Sequence, residues 1–398
     1  MSFWDKSFLE QTVEEVASYD HISTNKKNVV KKLIIKFYQD LLTDSDKSLL
    51  KLIFSKNPSQ SDLNTFLKSW SIDTAGQGKP ILLAYFMKDH PYLTFPKSEE
   101  PRLQGLLRFS RFKNLDIISH FSKIGRALNN NNIPLILVKG AAFKFLRQDL
   151  PREMYDTDLL VSPENFYKAL DVAESLGYTY QYERKEYIHS ADLYYKGNMN
   201  IPACDIHQFI EMGTNKERLL TPFLFKRGIK SKAFGVNAII PCFEDMLFIT
   251  LVNLAKNLRK NESRAGIFYA VYDCKFLVEN KKDFDWKIIQ DNAKLTNTEV
   301  QVGFAVLFLK EVASNVIPST LIDNLLFDKD ISKYCTLVMY KRFFLLNLRN
   351  KSHEISINKV LHNPMLLGKY LSIKPKYLFF KLIRNSPFLI NIFNYFHK

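Results

Sequence analysis

One stretch limits what this chain can become: residues 133–161, IPLILVKGAAFKFLRQDLPREMYDTDLLV. It opens with an apolar run, Ile133 to Val138, short and β-branched enough for a buried strand. Lys139-Gly140 follows, then Ala141 to Arg147 with helix-forming composition, and Pro151 stops any further helix. A second apolar strand, Tyr155 to Val161, carries Asp156 and Asp158. Positions two apart on a strand share a face, so these two carboxylates would repel each other on an otherwise hydrophobic ribbon. Such a pair implies a cation, and paired carboxylates are the usual hold on Mg²⁺.

The pattern of strand, glycine turn, short helix and Asp-x-Asp strand resembles the DNA polymerase β-type nucleotidyltransferase superfamily. Within it, the stretch is similar to a bacterial group of nucleotidyltransferase family proteins through Leu137 to Ala142, and through Arg152, Met154, Asp156, Asp158 and Leu159 to Val161. The likeness extends, weakening, from about Asn114 to about Val312. It implies a Mg²⁺-dependent transfer of a nucleoside monophosphate from an NTP to a hydroxyl or phosphate, releasing pyrophosphate. The superfamily usually has Gly-Ser at the turn, and here Gly140-Ala141 stands there. Any hold on the triphosphate then falls to backbone N–H groups or to Lys139, with Arg152 and Lys144 as weaker candidates.

The implied two-metal site needs a third carboxylate. Asp205, in Ala203-Cys204-Asp205-Ile206-His207, resembles the family's Val-Asp-Leu-His stretch, and Asp192 offers the same geometry as a rival. His207 shares a strand face with Asp205 and is a candidate for positioning the acceptor or neutralising charge, as is His189. Asn253, Lys256, Asn257 and Lys260 fall at helical spacing and form one polar face, where the family tends to place histidines. Asp273 resembles a family aspartate of structural role.

Elsewhere the pattern is mostly helical. Val29 to Leu42, Ser48 to Phe54, Leu63 to Trp70 and the long stretch Leu103 to Asn129 show apolar residues at helical spacing. Asp73 to Pro80 reads as a loop whose Gly76-Gln77-Gly78-Lys79 lacks the preceding strand and following hydroxyl of a phosphate loop. Ser162-Pro163-Glu164 starts a helix that Gly177 ends, and Tyr178 to Lys185, Ala191 to Tyr195 and Ile201 to Ile210 read as strands, with a turn at Gly197-Asn198. Phe243 to Lys260, Gly266 to Asn280, Trp286 to Ala293, Val300 to Ala313 and Ser332 to Leu348 return to helix.

The expected fold is α+β: a small mixed sheet of polymerase β-like type over residues 111–240, between N-terminal helices (1–110) and a helical lobe (241–345). A basic aromatic extension (346–398) completes the chain. From Lys341 onward eleven basic residues face Glu354 alone, so ten of the fifteen excess positive charges lie there. That surplus suits RNA or an anionic membrane surface. Four cysteines without a C-x-x-C, and an acidic amphipathic start, predict a reducing, cytoplasmic setting without zinc, disulfides or a transmembrane segment. A catalytically inactive nucleic-acid-binding or scaffold protein, and a toxin-type enzyme of the same fold acting on tRNA or protein, are the competing functions.

Overall fold

The computed structural model describes Lys31 and residues 42–326, apart from 56, 74–77, 148–149, 151, 181–188, 196–202, 211, 213–215, 261–263 and 313–316. The chain divides into two compact units, Met1–Cys335 and Thr336–Lys398, and every described residue belongs to the first. The helices expected over 29–42 and 332–348, the Gly197-Asn198 turn and the basic extension therefore lie outside the described residues.

Between residues 42 and 90 three helices form: α1 (Asp44–Phe54), α2 (Gln60–Lys68) and α3 (Lys79–Asp89). Thr43 and Ser59 close capping boxes with Asp46 and Asp62, which fixes where α1 and α2 begin. The Gly-Gln-Gly-Lys stretch ends in structure rather than in a loop: Lys79 opens α3, is buried, and its ammonium pairs with the buried Asp46 carboxylate.

The 31-residue α4 (Glu100–Asn130) is the spine. Leu103, Leu107, Ile117, Phe121, Ile124 and Leu128 form its buried stripe, packed on α3 and on the sheet. It ends where the asparagines begin. Asn132 takes a left-handed φ of 55°, and the Ile133 N–H reaches back to the Leu128 carbonyl at 2.9 Å. This is an αL cap that turns the chain into the sheet.

Among the described residues the sheet has seven strands: β1 (Ile136–Leu137), β2 (Asp158–Leu160), β3 (Tyr178–Thr179), β4 (Ser190–Tyr195), β5 (Cys204–His207), β6 (Ile229–Ala233) and β7 (Val236–Ile240). Their spatial order is β3-β4-β5-β2-β1-β7-β6. The β2–β5 and β1–β7 pairs are parallel and the others antiparallel, so the sheet is mixed and the fold α+β. Helix α5 (Lys139–Leu146) connects β1 to β2, and α6 (Phe166–Ser175) follows a 3-10 turn at Pro163–Asn165. Ser162 does not cap that turn as its sequence suggests; its hydroxyl accepts from the Asn165 side chain instead.

Two expectations are corrected. The second strand begins at Asp158, not at Tyr155, so Asp156 sits in a bend and not on the ribbon. The cause is Asn114 of α4. Its side chain accepts from the Met154 N–H at 2.9 Å and donates to the Arg152 carbonyl at 3.0 Å, drawing residues 152–154 away from the sheet line. The β6–β7 hairpin, which pairs beside β1, was not anticipated at all. Its turn is Phe234-Gly235, both at positive φ (54° and 77°), as a type I′ turn requires. Phenylalanine is a rare occupant of that conformation.

After α7 (Thr221–Arg227), the helical lobe comprises α8 (Phe243–Lys260), α9 (Arg264–Glu279), α10 (Trp286–Thr296), α11 (Glu299–Val312) and α12 (Ser319–Leu326). Helix α8 is its centre, packing on α9, α10 and α11 and touching α5. No helix among the described residues is long and apolar enough to cross a membrane.

Candidate active site

The parallel pairing of β2 with β5 sets Asp158 directly beside Asp205, and the antiparallel pairing of β5 with β4 sets Asp205 beside Asp192. Opposed residues in neighbouring strands share a face, so three carboxylates form one row across the sheet. Leu159, Ile206, Ala191 and Leu193 alternate with them and are buried in the core. Both candidates for the third carboxylate are thus on the right face. Asp205 adjoins Asp158, whereas Asp192 lies one strand further out and is half-buried.

Two internal cations hold the inner pair. His207 Nε2 lies 2.9 Å from Asp158 Oδ1 and 2.9 Å from Asp205 Oδ2, and the Lys139 ammonium pairs with Asp158. Lys139 reaches this position from the first residue of α5 with φ of 51°, a left-handed backbone that costs a side-chain-bearing residue roughly 1 kcal/mol. Strain of this kind persists where surroundings impose it.

These contacts push the site's acids apart. Burial raises the Asp158 carboxyl, but the Lys139 charge and the His207 hydrogen bond outweigh it and hold Asp158 well below the ordinary carboxylate range. For Asp156, burial and the neighbouring Asp158 charge add together and raise it far above that range, with Lys139 opposing. Burial opposes the charge on His207, yet the flanking Asp205 and the hydrogen bonds to both carboxylates raise the imidazole to about 9. One carboxylate of the Asp-x-Asp pair is thereby kept ionised while the other is set to take up a proton or a cation.

The residues also fit a divalent cation. Ligand atoms of Asp158, Asp205 and His207 all lie within 4.8 Å of one another. Asp205 Oδ1 and His207 Nδ1 are buried without a hydrogen-bond partner. An orphaned carboxylate oxygen beside a second carboxylate is a hard donor set of the kind Mg²⁺ takes.

Two adjoining cavities open on this row, sharing Lys139 and Asn253. The larger, of about 260 Å³, is lined by Asp156, Asp158, Gly140 and Arg152 from the sheet side and by Asn257 and Tyr269 from α8 and α9. The smaller, of about 150 Å³, takes Asp205, His207, His189 and Lys256. The polar face expected on α8 is present in both, although the side chain of Lys260 lies outside the described residues.

Several expected nucleotide contacts have other employment. The space above Gly140 is filled by protein: a Cβ there would meet Arg152 Nε at 3.1 Å. The Arg152 guanidinium is 3.0 Å from Asp273 Oδ2 and lies near the rings of Tyr269 (5.3 Å) and Phe143 (5.9 Å). Asp273 is thus the buried partner of Arg152, and burial raises its carboxyl to about 6, with Arg152 opposing. Lys144 is buried and donates to the Leu150 carbonyl at 2.7 Å, so it is removed from the triphosphate candidates. Ala141 is buried and lines neither cavity; what it can offer is a backbone N–H in the first turn of α5. Tyr269 was missed. Its spacing with Gly266 and Asp273 on α9 marks a single helix face, and that signal was readable.

The chain belongs to the family described as uncharacterised nucleotidyltransferases, whose model matches residues 80–314. Nucleotidyl transfer is therefore its class of activity. Among solved structures, that of the antibiotic-resistance factor ANT(2'')-Ia is similar over 46% of this chain and 91% of that one, at 13% identity and a TM-score of 0.31. No curated protein matches the chain in sequence.

Proposed function

We propose that the chain is a Mg²⁺-dependent nucleotidyltransferase that moves an NMP from an NTP to a hydroxyl or phosphate of an acceptor, releasing pyrophosphate. The observation that carries this is the register that puts Asp158 beside Asp205, with Asp156 two residues before the strand and an orphaned oxygen on Asp205. Asp156, Asp158 and Asp205 would hold a two-metal site, which when bound acidifies the attacking hydroxyl and neutralises the phosphates. Asp156 and Asp158 face the larger cavity, which we assign to the nucleotide. Asp205 faces the smaller, where it would align the acceptor and favour loss of its proton, with His207 and His189 positioning. Lys139, between the two, would exchange its contact with Asp158 for the triphosphate. The first-turn N–H groups of α5, at Gly140 and Ala141, would add the positive end of the helix to that hold. Arg152 would act through its charge at the cavity wall.

The same contacts motivate a second reading, a non-catalytic binding protein, because Lys139 and His207 already neutralise Asp158. Thermal unfolding with each of the four NTPs, with and without Mg²⁺, separates the two. A Mg²⁺-dependent rise in Tm with at least one NTP, lost in Asp158→Ala, is expected for the enzyme. No shift with any NTP would sink the catalytic reading.

A further inference from the structure

The two cavities carry opposite charge. The larger is lined by four acids (Glu153, Asp156, Asp158, Asp273) against two bases, Lys139 and Arg152. An anionic triphosphate enters such a place only with divalent cations between. The smaller reverses the balance: Lys139, Lys256 and the imidazoles of His189 and His207 line it with Asp205 as its one acid, and since Lys139 already pairs with Asp158 and His207 with both carboxylates, Lys256 is the cation it adds to the row. Its floor, Ile210, Ile249 and Val252, is apolar, which strengthens any charge interaction above it. His207 adds a polar atom to this wall, since its Nδ1 is buried with no hydrogen-bond partner while Nε2 serves the two carboxylates.

We propose that the smaller cavity takes a phosphate group carried by the acceptor next to its attacking hydroxyl. Lys256 would neutralise the phosphate, His189 would offer it a ring nitrogen, and the hydroxyl would sit at Asp205. The inference rests on the nucleotidyl-transfer reading and narrows its acceptor to a phosphorylated one, excluding polycationic amino sugars, which this lining repels. The phosphate could belong to a small sugar phosphate or to a polynucleotide end, two sources with one chemistry.

Because the cavity is basic without metal, binding should not need Mg²⁺. Calorimetric titration of the full chain in EDTA-containing, low-salt buffer would use inorganic phosphate, ribose 5-phosphate, a short RNA, ribose and an amino sugar as probes. The phosphate-bearing probes should bind and the other two should not. Lys256→Glu should weaken phosphate binding by about tenfold or more, the scale of one charged contact. Lys232→Glu makes the same change of charge on the exposed face of β6 and should leave the affinity within about twofold. Ribose 5-phosphate outbinding RNA would assign a small acceptor, and RNA outbinding it with the same Lys256 dependence would assign a polynucleotide.

Equal losses in both variants, binding of ribose or amino sugar as tight as that of ribose 5-phosphate, or no phosphate binding at all would overturn the proposal. The Mg²⁺·NTP stabilisation should survive in Lys256→Glu, because Lys256 does not line the larger cavity, and this also shows that the variant folds; Lys256→Gln serves if it does not. Absence of that stabilisation in wild type defeats the parent reading. Its presence without phosphate binding defeats this inference alone.

Discussion

Two buried ionic clusters in this protein are built to opposite rules. At the base of the helical lobe, Arg227 grips Asp245 with two hydrogen bonds of 3.0 and 2.6 Å. Asn292 donates to the same carboxylate at 2.8 Å and accepts from Arg227 at 2.9 Å, and Cys242 Sγ adds a contact of 3.2 Å. Both oxygens of the Asp245 carboxylate have partners, on ordinary backbone. In the sheet, Asp156, Asp158, Asp205, Lys139 and His207 crowd three carboxylates against two cations, strain the Lys139 backbone and leave Asp205 Oδ1 and His207 Nδ1 unpartnered. The first arrangement holds elements together. The second keeps unsatisfied groups of a carboxylate and an imidazole at a cavity wall, where a ligand can reach them.

If that contrast is right, substitutions in the two clusters must fail in different ways. Asp156→Asn should lower nucleotide transfer by about 10³-fold, the result of losing several kcal/mol of charge stabilisation in the transition state. In the same variant the metal-free protein should gain about 1 kcal/mol, because a buried carboxylate repelled by Asp158 is replaced by a neutral isostere. Radiolabelled transfer assays and urea melts on one preparation test both. A large loss of stability would put Asp156 among the structural acids.

Asp245→Ala should do the reverse. It leaves Arg227 and Asn292 without their shared partner and should cost about 3–5 kcal/mol in urea unfolding, with the m-value unchanged. The Mg²⁺·NTP affinity of the fraction that folds should be that of wild type.

The comparison sharpens further with two buried acids of opposite pH response. Asp273 keeps its proton up to about pH 6 in the folded protein, while the unfolded chain releases it near the ordinary aspartate value of 3.8. The folded state therefore binds more protons between these limits, and stability falls as pH rises through that window and is flat above it. The drop is on the order of 2–3 kcal/mol and should vanish in Asp273→Asn. Asp46 behaves oppositely. Burial raises its carboxyl, but Lys79 and the Thr43 cap lower it below its ordinary value, so its contribution is present above pH 4 and lost on acidification. Difference curves of Asp273→Asn and Asp46→Asn against wild type should slope in opposite directions; slopes of one sign would undo the assignment.

What the residue order could reveal divides along the same line. The places of Asp158 and Asp205 on strands were legible because apolar runs around an acid restrict where it can go, although preferring Asp205 to Asp192 rested on the family resemblance, and α8 was legible to its last residue because its apolar spacing is unbroken. The bend at Asp156 was not, since it depends on Asn114, forty residues earlier, hydrogen-bonding to Met154. Nor was the partner of Gly140. A glycine before Ala-Ala beside a strand says that something comes close, but not whether it is a phosphate or the Arg152 guanidinium. The β6–β7 hairpin escaped because Phe234 occupies a turn position whose usual residues are glycine and asparagine.

Gly140 provides the smallest and most discriminating test. Gly140 is the second residue of α5, where alanine gains less over glycine than the about 1 kcal/mol of a helix interior, and its Cβ would meet Arg152 Nε at 3.1 Å, so the guanidinium must give way by a few tenths of an ångström. The two effects should nearly cancel in stability, while displacement of Arg152 weakens Mg²⁺·NTP binding by a few-fold, roughly 0.5–1 kcal/mol. A double-mutant cycle with Arg152→Ala locates the cause. If Gly140 exists to admit Arg152, Gly140→Ala should do little once the guanidinium is gone, and the two binding losses should be non-additive by most of the single effect. Additive losses would mean that the glycine meets the nucleotide directly across the cavity wall it lines.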